Sequence, residues 1–297
     1  MGSPQQCAVI GHPAGHSLSP ALHRAAYRAL GLDWSYQAID VAPEDLDDFV
    51  RGLDESWRGL SVTMPHKVAI RQYGETDELV QLVGAGNTLV FTDLDREAGL
   101  DHPSGSPSLS RGSSAPRPAI VRNTDVGGFQ LALAQAGVES ADSATIVGNG
   151  ATATSAVVAL RELGVERITV LARRPERAEG LKVFCTTTLG VLCAVRPLEA
   201  ASILPSDVVV STVPDGGADA VAEQLAGSAP VVFDSVYDPW PTALAQAAAS
   251  HGATVLNGLD LLAGQAVEQV RLMTGGEVGF DLLKSAGQEE LNRRAGL

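Results

Sequence analysis

The residues Ser61-Val62-Thr63-Met64-Pro65-His66-Lys67 carry an apolar run into a proline and set a hydroxyl and an amine four positions apart. Proline neither donates to a ladder nor continues one, so Thr63 is expected at the carboxyl end of a strand and Lys67 at the opening of the next segment. An amine at such an edge suits proton transfer to a carbonyl oxygen, or the holding of negative charge that develops there. Three more polar tracts could join it. Gly11-His12-Pro13-Ala14-Gly15-His16-Ser17-Leu18-Ser19-Pro20 can aim two hydroxyls, Ser17 and Ser19, at one anion near a helix start. Ser19 reads equally well as a helix N-cap, whereas Ser17 has no capping duty to explain it. Gly84-Ala85-Gly86-Asn87-Thr88 sets an amide just before a strand, or is only a glycine turn. Asn123-Thr124-Asp125 sets a carboxylate at the head of a helix, where an acidic N-cap is the plainer explanation.

Short apolar runs alternate with helical patterns along most of the chain, the βαβ rhythm of parallel-sheet proteins. Strands are expected at Cys7 to Gly11, Trp34 to Val41, Gly59 to Thr63 and Asn87 to Thr92, with helices from Ser19 to about Gly31 and from Pro43 to Leu53. From Pro103 to Pro118, twelve of sixteen residues are Pro, Ser or Gly, which predicts a mobile loop with too little apolar surface to order itself. Ala119 to Arg122 reads as the returning strand and Asp125 to Ala136 as a helix. A second alternating series follows, with strands at Ala144 to Gly148, Arg167 to Ala172, Val191 to Val195, Asp207 to Thr212, Val231 to Asp234 and Thr254 to Asn257. The last helix shows an apolar stripe of Leu259, Leu262, Ala263, Ala266, Val270 and Met273, with Gln265 beside it.

The second series carries a cofactor signature. A strand from Ala144 runs into Gly148-Asn149-Gly150-Ala151-Thr152-Ala153, a Gly-x-Gly-x-x-Ala turn leading to a helix, where glycines let a pyrophosphate approach the positive helix end. Versions that prefer NAD place an acidic residue about 20 residues on, whereas here the next strand ends in Ala172-Arg173-Arg174, with Arg177 beyond. Guanidinium groups suit a 2'-phosphate, so the expected cofactor is NADP. A solvated basic helix start is the bland alternative, but arginines at a helix amino terminus oppose its dipole.

Composition narrows the rest. With 297 residues, 45% of them apolar, two domains are the default. A net charge of -14 argues against nucleic acid and against an anionic membrane surface. No apolar run reaches the roughly 18 residues of a spanning helix, and Met1 to Gln6 shows no basic region leading into an apolar one, with Gln6 spoiling a myristoylation pattern. Cys7, Cys185 and Cys193 form no metal or disulfide pattern. The cytoplasm is the expected compartment, and no metal is expected.

Together these tracts resemble the shikimate dehydrogenases and their quinate-oxidising relatives, over nearly the whole chain. The family's Gly-x-Pro-x-x-His-Ser-x-Ser-Pro is matched at Gly11 to Pro20, Val-Thr-x-Pro-x-Lys at Val62 to Lys67, and Gly-Ala-x-Asn-Thr at Gly84 to Thr88. Asn-Thr-Asp is matched at Asn123 to Asp125, and Gly-Leu-x-x-Leu-x-x-Gln-Ala at Gly258 to Ala266. The resemblance implies an α/β protein of two domains, a substrate domain (1–124 with 258–297) and a Rossmann-type doubly wound parallel sheet for NADP (125–257). It implies a Lys67 and Asp125 catalytic pair, with Ser17 and Ser19 on the substrate carboxylate. Thr63, Asn87, Gln265 and Tyr237 would be further substrate contacts. Gly148, Asn149, Gly150, Ala151, Arg173, Arg174, Arg177, Thr212, Val213 and Gly258 would meet the cofactor. The implied activity is reversible reduction of 3-dehydroshikimate to shikimate, a step towards chorismate and the aromatic amino acids, by a monomer or homodimer. Quinate or an aminated relative is the alternative substrate.

The chemistry agrees with the residue types. Reducing a ketone needs hydride at carbon and a proton at oxygen, so an acid must stand within hydrogen-bond reach. Pairing with Asp125 favours a charged Lys67 and shuttling favours its proton's release, so Lys67 reads as acid or as electrostatic anchor. Departures from the family pattern are Ala151 for a third glycine, Ala172-Arg173-Arg174 in the phosphate-reading turn, Ser211-Thr212-Val213-Pro214 after a later strand, Val121 before Asn-Thr-Asp, and Arg24. Three other readings are weaker. Gly15-His16-Ser17-Leu18-Ser19 is not a hydrolase elbow, because Ser19 stands where glycine is required. His12 and His16 lie beside Pro13 and Gly15, which preclude the helix that would align them on a metal. A non-catalytic nucleotide-binding regulator would not require Lys67 and Asp125.

Overall fold

The computed structural model describes residues 5–92 and 117–297. Of the predicted Pro103 to Pro118 loop, all but Arg117 and Pro118 lies outside the described residues. The chain builds two six-stranded sheets. The first holds β1 (Gln6–Gly11), β2 (Ser35–Asp40), β3 (Trp57–Val62), β4 (Glu75–Thr76), β5 (Thr88–Phe91) and β6 (Ala119–Arg122) in the order β2-β1-β3-β5-β6-β4. β1 pairs parallel with β2 and β3, while β5 runs antiparallel between β3 and β6. Both faces are covered, so β1 is buried along nearly its whole length. Its alternate residues divide between two cores. Cys7 and Val9 face helix α1 (Ser19–Ala29) and the chain's closing helices, whereas Ala8 and Ile10 face α2 (Leu46–Arg51).

α3 (Glu78–Val83) precedes β5, and α4 (Asp125–Gln135) leads from β6 into the second sheet. That sheet comprises β7 (Ser143–Val147), β8 (Arg167–Ala172), β9 (Leu192–Pro197), β10 (Val208–Ser211), β11 (Val231–Asp234) and β12 (Thr254–Asn257). All are parallel, in the order β12-β11-β10-β7-β8-β9. Numbered from β7, this is the 3-2-1-4-5-6 arrangement of dinucleotide-binding folds, which opens a crevice above the carboxyl ends of the central strands. Helices α5 (Ala151–Glu162), α6 (Glu179–Val183), α7 (Ala222–Ala226) and α8 (Ala243–Ser250) cover its faces. The α/β class and the doubly wound second sheet are those expected.

The chain returns through α9 (Gly258–Thr274) and α10 (Phe280–Ala295). Asn257 caps α9: its Oδ1 accepts from the Leu259 and Asp260 backbone N–H groups while Asp260 Oδ2 accepts from Asn257 N. This reciprocal cap is worth about 1 kcal/mol. All six residues of the predicted apolar stripe are buried in the first sheet's core, joined there by Phe280 and Leu283. Burying each leucine, valine, methionine or phenylalanine among them stabilises the docked helices by about 2 kcal/mol. α4 and α9 cross at their glycines: a Cβ on Gly264 would lie 2.5 Å from the Gly128 oxygen.

Several expectations are corrected. Pro43 to Leu53 is a 3-10 turn at Pro43–Asp45 followed by the short α2, and the strand near Asn87 starts one residue later and is the fifth rather than the fourth. Ser19 is not an N-cap. The helix begins at Ser19 itself, Leu18 holds the cap position, and Ser17 Oγ accepts from the Ser19 backbone N–H at 3.2 Å. Pro20 already removes one donor that a cap would serve, so the Ser19 hydroxyl is left to other uses, and it is Ser17 that carries a capping contact.

Candidate active site

Lys67 is placed by a short turn beyond β3. Thr63 N donates to Ile10 O, the His66 ring is buried against Val41 O at 2.7 Å, and Gly86 N donates to Lys67 O at 2.8 Å. The turn fixes the backbone, so the amine projects in one direction. Its Nζ lies 2.6 Å from Asp125 Oδ2, with the lysine side chain 15% exposed and the carboxylate 2%. Asp125 begins α4, yet it does not cap the helix. Asn123 Oδ1 takes that duty, accepting from the Asp125 and Val126 backbone N–H groups at 3.0 and 3.3 Å. The Asp125 carboxylate is thereby released to face Lys67 and Asn87.

Asn87 ties the cluster together. Its Oδ1 accepts from Thr124 N at 2.8 Å, from the Thr124 hydroxyl at 3.1 Å and from the Thr88 hydroxyl at 3.0 Å. Three donors on one end of the amide force the other end outwards. Asn87 Nδ2 accordingly donates to Asp125 Oδ1 at 2.9 Å and to Gln265 Oε1 at 2.7 Å. Behind it, Gln269 Nε2 donates to Thr88 Oγ1, Ser61 Oγ donates to Gln269 Oε1 and Tyr36 OH donates to Ser61 Oγ. His23 Nε2 lies 3.2 Å from the same Gln269 oxygen, and its ring stacks on Tyr36. Burial pushes His23 down to about 4, the Gln269 contact acting in the opposite direction.

A cavity of about 260 Å³ opens on this cluster. Ser17, Ser19, Thr63, Lys67, Asp125, Tyr237, Gly258 and Gln265 line it, with Thr152 from the first turn of α5 closing one side. Tyr237 is held by a turn built on buried Asp234, whose Oδ2 accepts from the Thr242 hydroxyl at 2.7 Å and whose carboxyl is pushed up by burial. Burial also raises the Tyr237 phenol, and the nearby Arg294 guanidinium pulls it back. Of the residues expected here, only Asn87 lies behind the wall rather than in it. Gly258, expected at the cofactor, lines this cavity.

The second pocket, about 400 Å³, lies over β7 and β8 and is lined by Gly148, Asn149, Arg173, Arg174, Arg177 and Val213 among others. Gly148 has φ +109°, and a Cβ there would lie 2.5 Å from Thr212 Oγ1, so only glycine fits this turn. Asn149 Nδ2 donates to Arg177 O at 2.7 Å and steadies the arginine turn. Thr212 spends its hydroxyl on Val147 O at 3.0 Å. Gly150 is the N-cap residue of α5 and Ala151 its first helical residue, so the helix points its positive end at the pocket. Arg173 and Arg174 precede a 3-10 turn at Pro175–Arg177, not the helix start expected for them. All three arginines are exposed, and among the described residues their guanidinium groups have no hydrogen-bond or ion-pair partner. A free guanidinium trio beside a glycine turn fits a phosphorylated dinucleotide.

Sequence reasoning missed Ser61, Thr88, Gln269, Thr152 and Ser235, all at or behind the cavity. Gln269 had a signal: it stands one helical turn after Gln265, on the same side of α9. Among the described residues no cluster of His, Cys, Asp or Glu is arranged for a metal, and no helix is long and apolar enough to cross a membrane.

A dinucleotide pocket beside a buried amine–carboxylate pair puts the chain among the nicotinamide-linked oxidoreductases. The family model described as "Shikimate dehydrogenase substrate binding domain" matches residues 9–89. A shikimate dehydrogenase (NADP(+)) of Methanothermobacter thermautotrophicus is 33% identical over 300 residues, covering 96% of each chain. The crystal structure of Mycobacterium tuberculosis shikimate dehydrogenase superposes with a TM-score of 0.80 at 37% identity, over 96% of this chain and all of that one. A Thermus thermophilus shikimate 5-dehydrogenase solved with NADP(H) and shikimate gives a TM-score of 0.77 at 28% identity, over 96% and 99% of the two chains. The chain belongs to the shikimate dehydrogenase family.

Proposed function

We propose that this protein is an NADP-dependent shikimate dehydrogenase that interconverts 3-dehydroshikimate and shikimate. The observation that carries the reading is the Lys67, Asp125, Asn87 and Gln265 cluster, which puts an amine and its carboxylate partner at one cavity with Ser17 and Ser19. The family relationship and the NADP-dependent relatives support it.

In this reading residues 1–124 and 258–297 hold the substrate and residues 125–257 hold the cofactor. Ser17 and Ser19 donate to the ring carboxylate. Thr63, Lys67, Asp125, Tyr237 and Gln265 hold the ring oxygens, and Asn87, expected as a direct contact, orients Asp125 and Gln265 from behind them. Arg173, Arg174 and Arg177 would hold the 2'-phosphate of NADP, with the Gly148 to Ala151 turn at the pyrophosphate and Thr212 and Val213 flanking. When bound, the reduced cofactor supplies hydride to the ring carbonyl carbon. Lys67 delivers the proton to the carbonyl oxygen as it becomes a hydroxyl, and Asp125 keeps the ammonium in place and accepts from the hydroxyl formed. Burial of the pair makes each contact stronger than it would be in water. A monomer or homodimer working in the cytoplasm belongs to the same proposal.

The test follows reduced-nicotinamide absorbance with shikimate and with quinate, each with NADP and with NAD. Turnover is expected with shikimate and NADP, falling by about 10²–10⁴ in Lys67→Ala. No turnover in any wild-type combination would sink the reading. Replacing Arg173 and Arg177 with Ala should weaken NADP binding far more than NAD binding, and equal losses would refute the 2'-phosphate role.

A further inference from the structure

The loop that presents Ser17 and Ser19 is tied down from the opposite end of the chain. Arg294, in the last turn of α10, donates through Nη1 to His16 O at 2.8 Å and through Nη2 to Ser17 O at 3.1 Å. The guanidinium therefore grips two consecutive carbonyls of the loop with its two parallel N–H groups, a geometry no other side chain reproduces. Its Nε is held in turn by Glu290 Oε1 at 2.9 Å. Arg293 pairs with the same carboxylate, and these contacts, that from Arg293 first, hold Glu290 down to about 2. Tyr237 OH approaches the same His16 carbonyl at 3.5 Å, so the loop is pinned where it borders the cavity. Ser17 itself is only half-buried, and its Oγ accepts from Ser19 N, which ties the Ser17 side chain to the backbone that carries Ser19.

We infer that Arg294 is a positioning residue for the anionic end of the substrate: it fixes the loop so that Ser17 and Ser19 face one carboxylate, and its charge sits against the loop backbone at His16 and Ser17. The inference rests on the reading of those serines as the carboxylate subsite. In a chain of net charge -14, an acid approaching the cavity gains from a cation placed at this point. Arg294 touches neither Lys67 nor Asp125, so its effect belongs to substrate affinity and not to proton transfer.

Steady-state kinetics on the full chain test this with Arg294→Ala and with Arg293→Ala as the control. Arg293 shares Glu290 but makes no contact with the loop. Arg294→Ala should raise the KM for shikimate about tenfold, the change that about 1.4 kcal/mol produces, with kcat and the KM for NADP within twofold of wild type. Arg293→Ala should leave all three constants within twofold. A general loosening of the fold would raise both KM values together and lower the melting temperature. An unchanged shikimate KM in Arg294→Ala, a loss confined to kcat, or equal rises in both KM values would overturn the inference. Wild type inactive with every acid and cofactor would instead defeat the functional reading on which it stands.

Discussion

Replacing Asn87 with Asp probes the polar cluster more sharply than deleting any member of it. The side chains are nearly isosteric, and the three donors on Asn87 Oδ1 would still be satisfied. What changes is the outward end, where an N–H donor 2.9 Å from Asp125 Oδ1 becomes an oxygen. Two unit charges at that distance repel by about 6 kcal/mol at an effective dielectric constant of about 20. The site escapes most of this by taking up one proton. Holding an aspartic carboxyl protonated at pH 7 costs about 4 kcal/mol, from 1.36 kcal/mol per unit over the roughly three units above its ordinary value. Lys67 and the three donors favour the ionised form and offset part of that cost, so the variant should lose about 2–4 kcal/mol of stability near pH 7. The sign follows from the direction of the shift. The new carboxyl has a folded pKa above its unfolded one, so the penalty is absent below about pH 4 and grows as pH rises to the folded value. Urea unfolding of wild type and variant from about pH 5 to pH 8 measures it, and the gap should widen by up to about 1.4 kcal/mol per pH unit. A gap independent of pH, or one that narrows as pH rises, would refute the assignment of Asn87 as a donor to Asp125.

The helix crossing gives a second prediction: Gly264→Ala drives a methyl to 2.5 Å from Gly128 O and should cost about 1–3 kcal/mol, while Gly127→Ala, whose Cβ meets nothing within 4 Å, should stabilise by up to about 1 kcal/mol. Melting temperatures decide it, and equal effects of the two changes would be inconsistent with a tight crossing. A third concerns His23, which burial holds at about 4 against an ordinary 6.5. In that interval the unfolded chain takes up a proton that the folded one refuses, so wild-type stability should drop by about 3 kcal/mol as pH falls through it, and His23→Gln should flatten the slope. Urea midpoints of both proteins at the two ends of the window provide the check, and parallel slopes would count against it.

Much of the fold was legible because apolar strands bounded by turn residues announce themselves. Ala119–Arg122, Arg167–Ala172, Val231–Asp234 and Thr254–Asn257 fall where the pattern places them. The two-residue strand Glu75–Thr76 did not, since it has no periodicity and exists only through pairing with β6. Ser19 was offered as a cap because serine followed by proline is a common N-cap and first-turn pair, whereas here the helix starts one residue earlier, with Leu18 at the cap position. In the site, hydroxyls, amines and amides at strand ends stood out against apolar runs. Gln269 did not, although it stands one turn after Gln265: beside Glu268 and Arg271 it resembles an exposed position, and its partners Thr88 and Ser61 are 181 and 208 residues away. Arg294 meets Ser17 across 277 residues, a distance over which composition and spacing are silent.

The location of Asp125 and Gln265 follows from how the chain passes between its two sheets. It leaves the first through α4 and returns through α9, and these two helices touch through Gly128 and Gly264. Asp125 lies three residues before one glycine, and Gln265 directly follows the other. Both side chains meet Asn87, which belongs to neither helix but to the edge of β5. No flexible link separates the crossing from the cluster, so a shift of one helix along the other would move Asp125 and Gln265 apart while Asn87 stayed with the first sheet. The two glycines keep the helices close enough for one amide to serve both partners. A bulkier crossing would open the distance from Asn87 to at least one of them, so the packing of the two connecting helices and the geometry of the polar cluster are a single constraint.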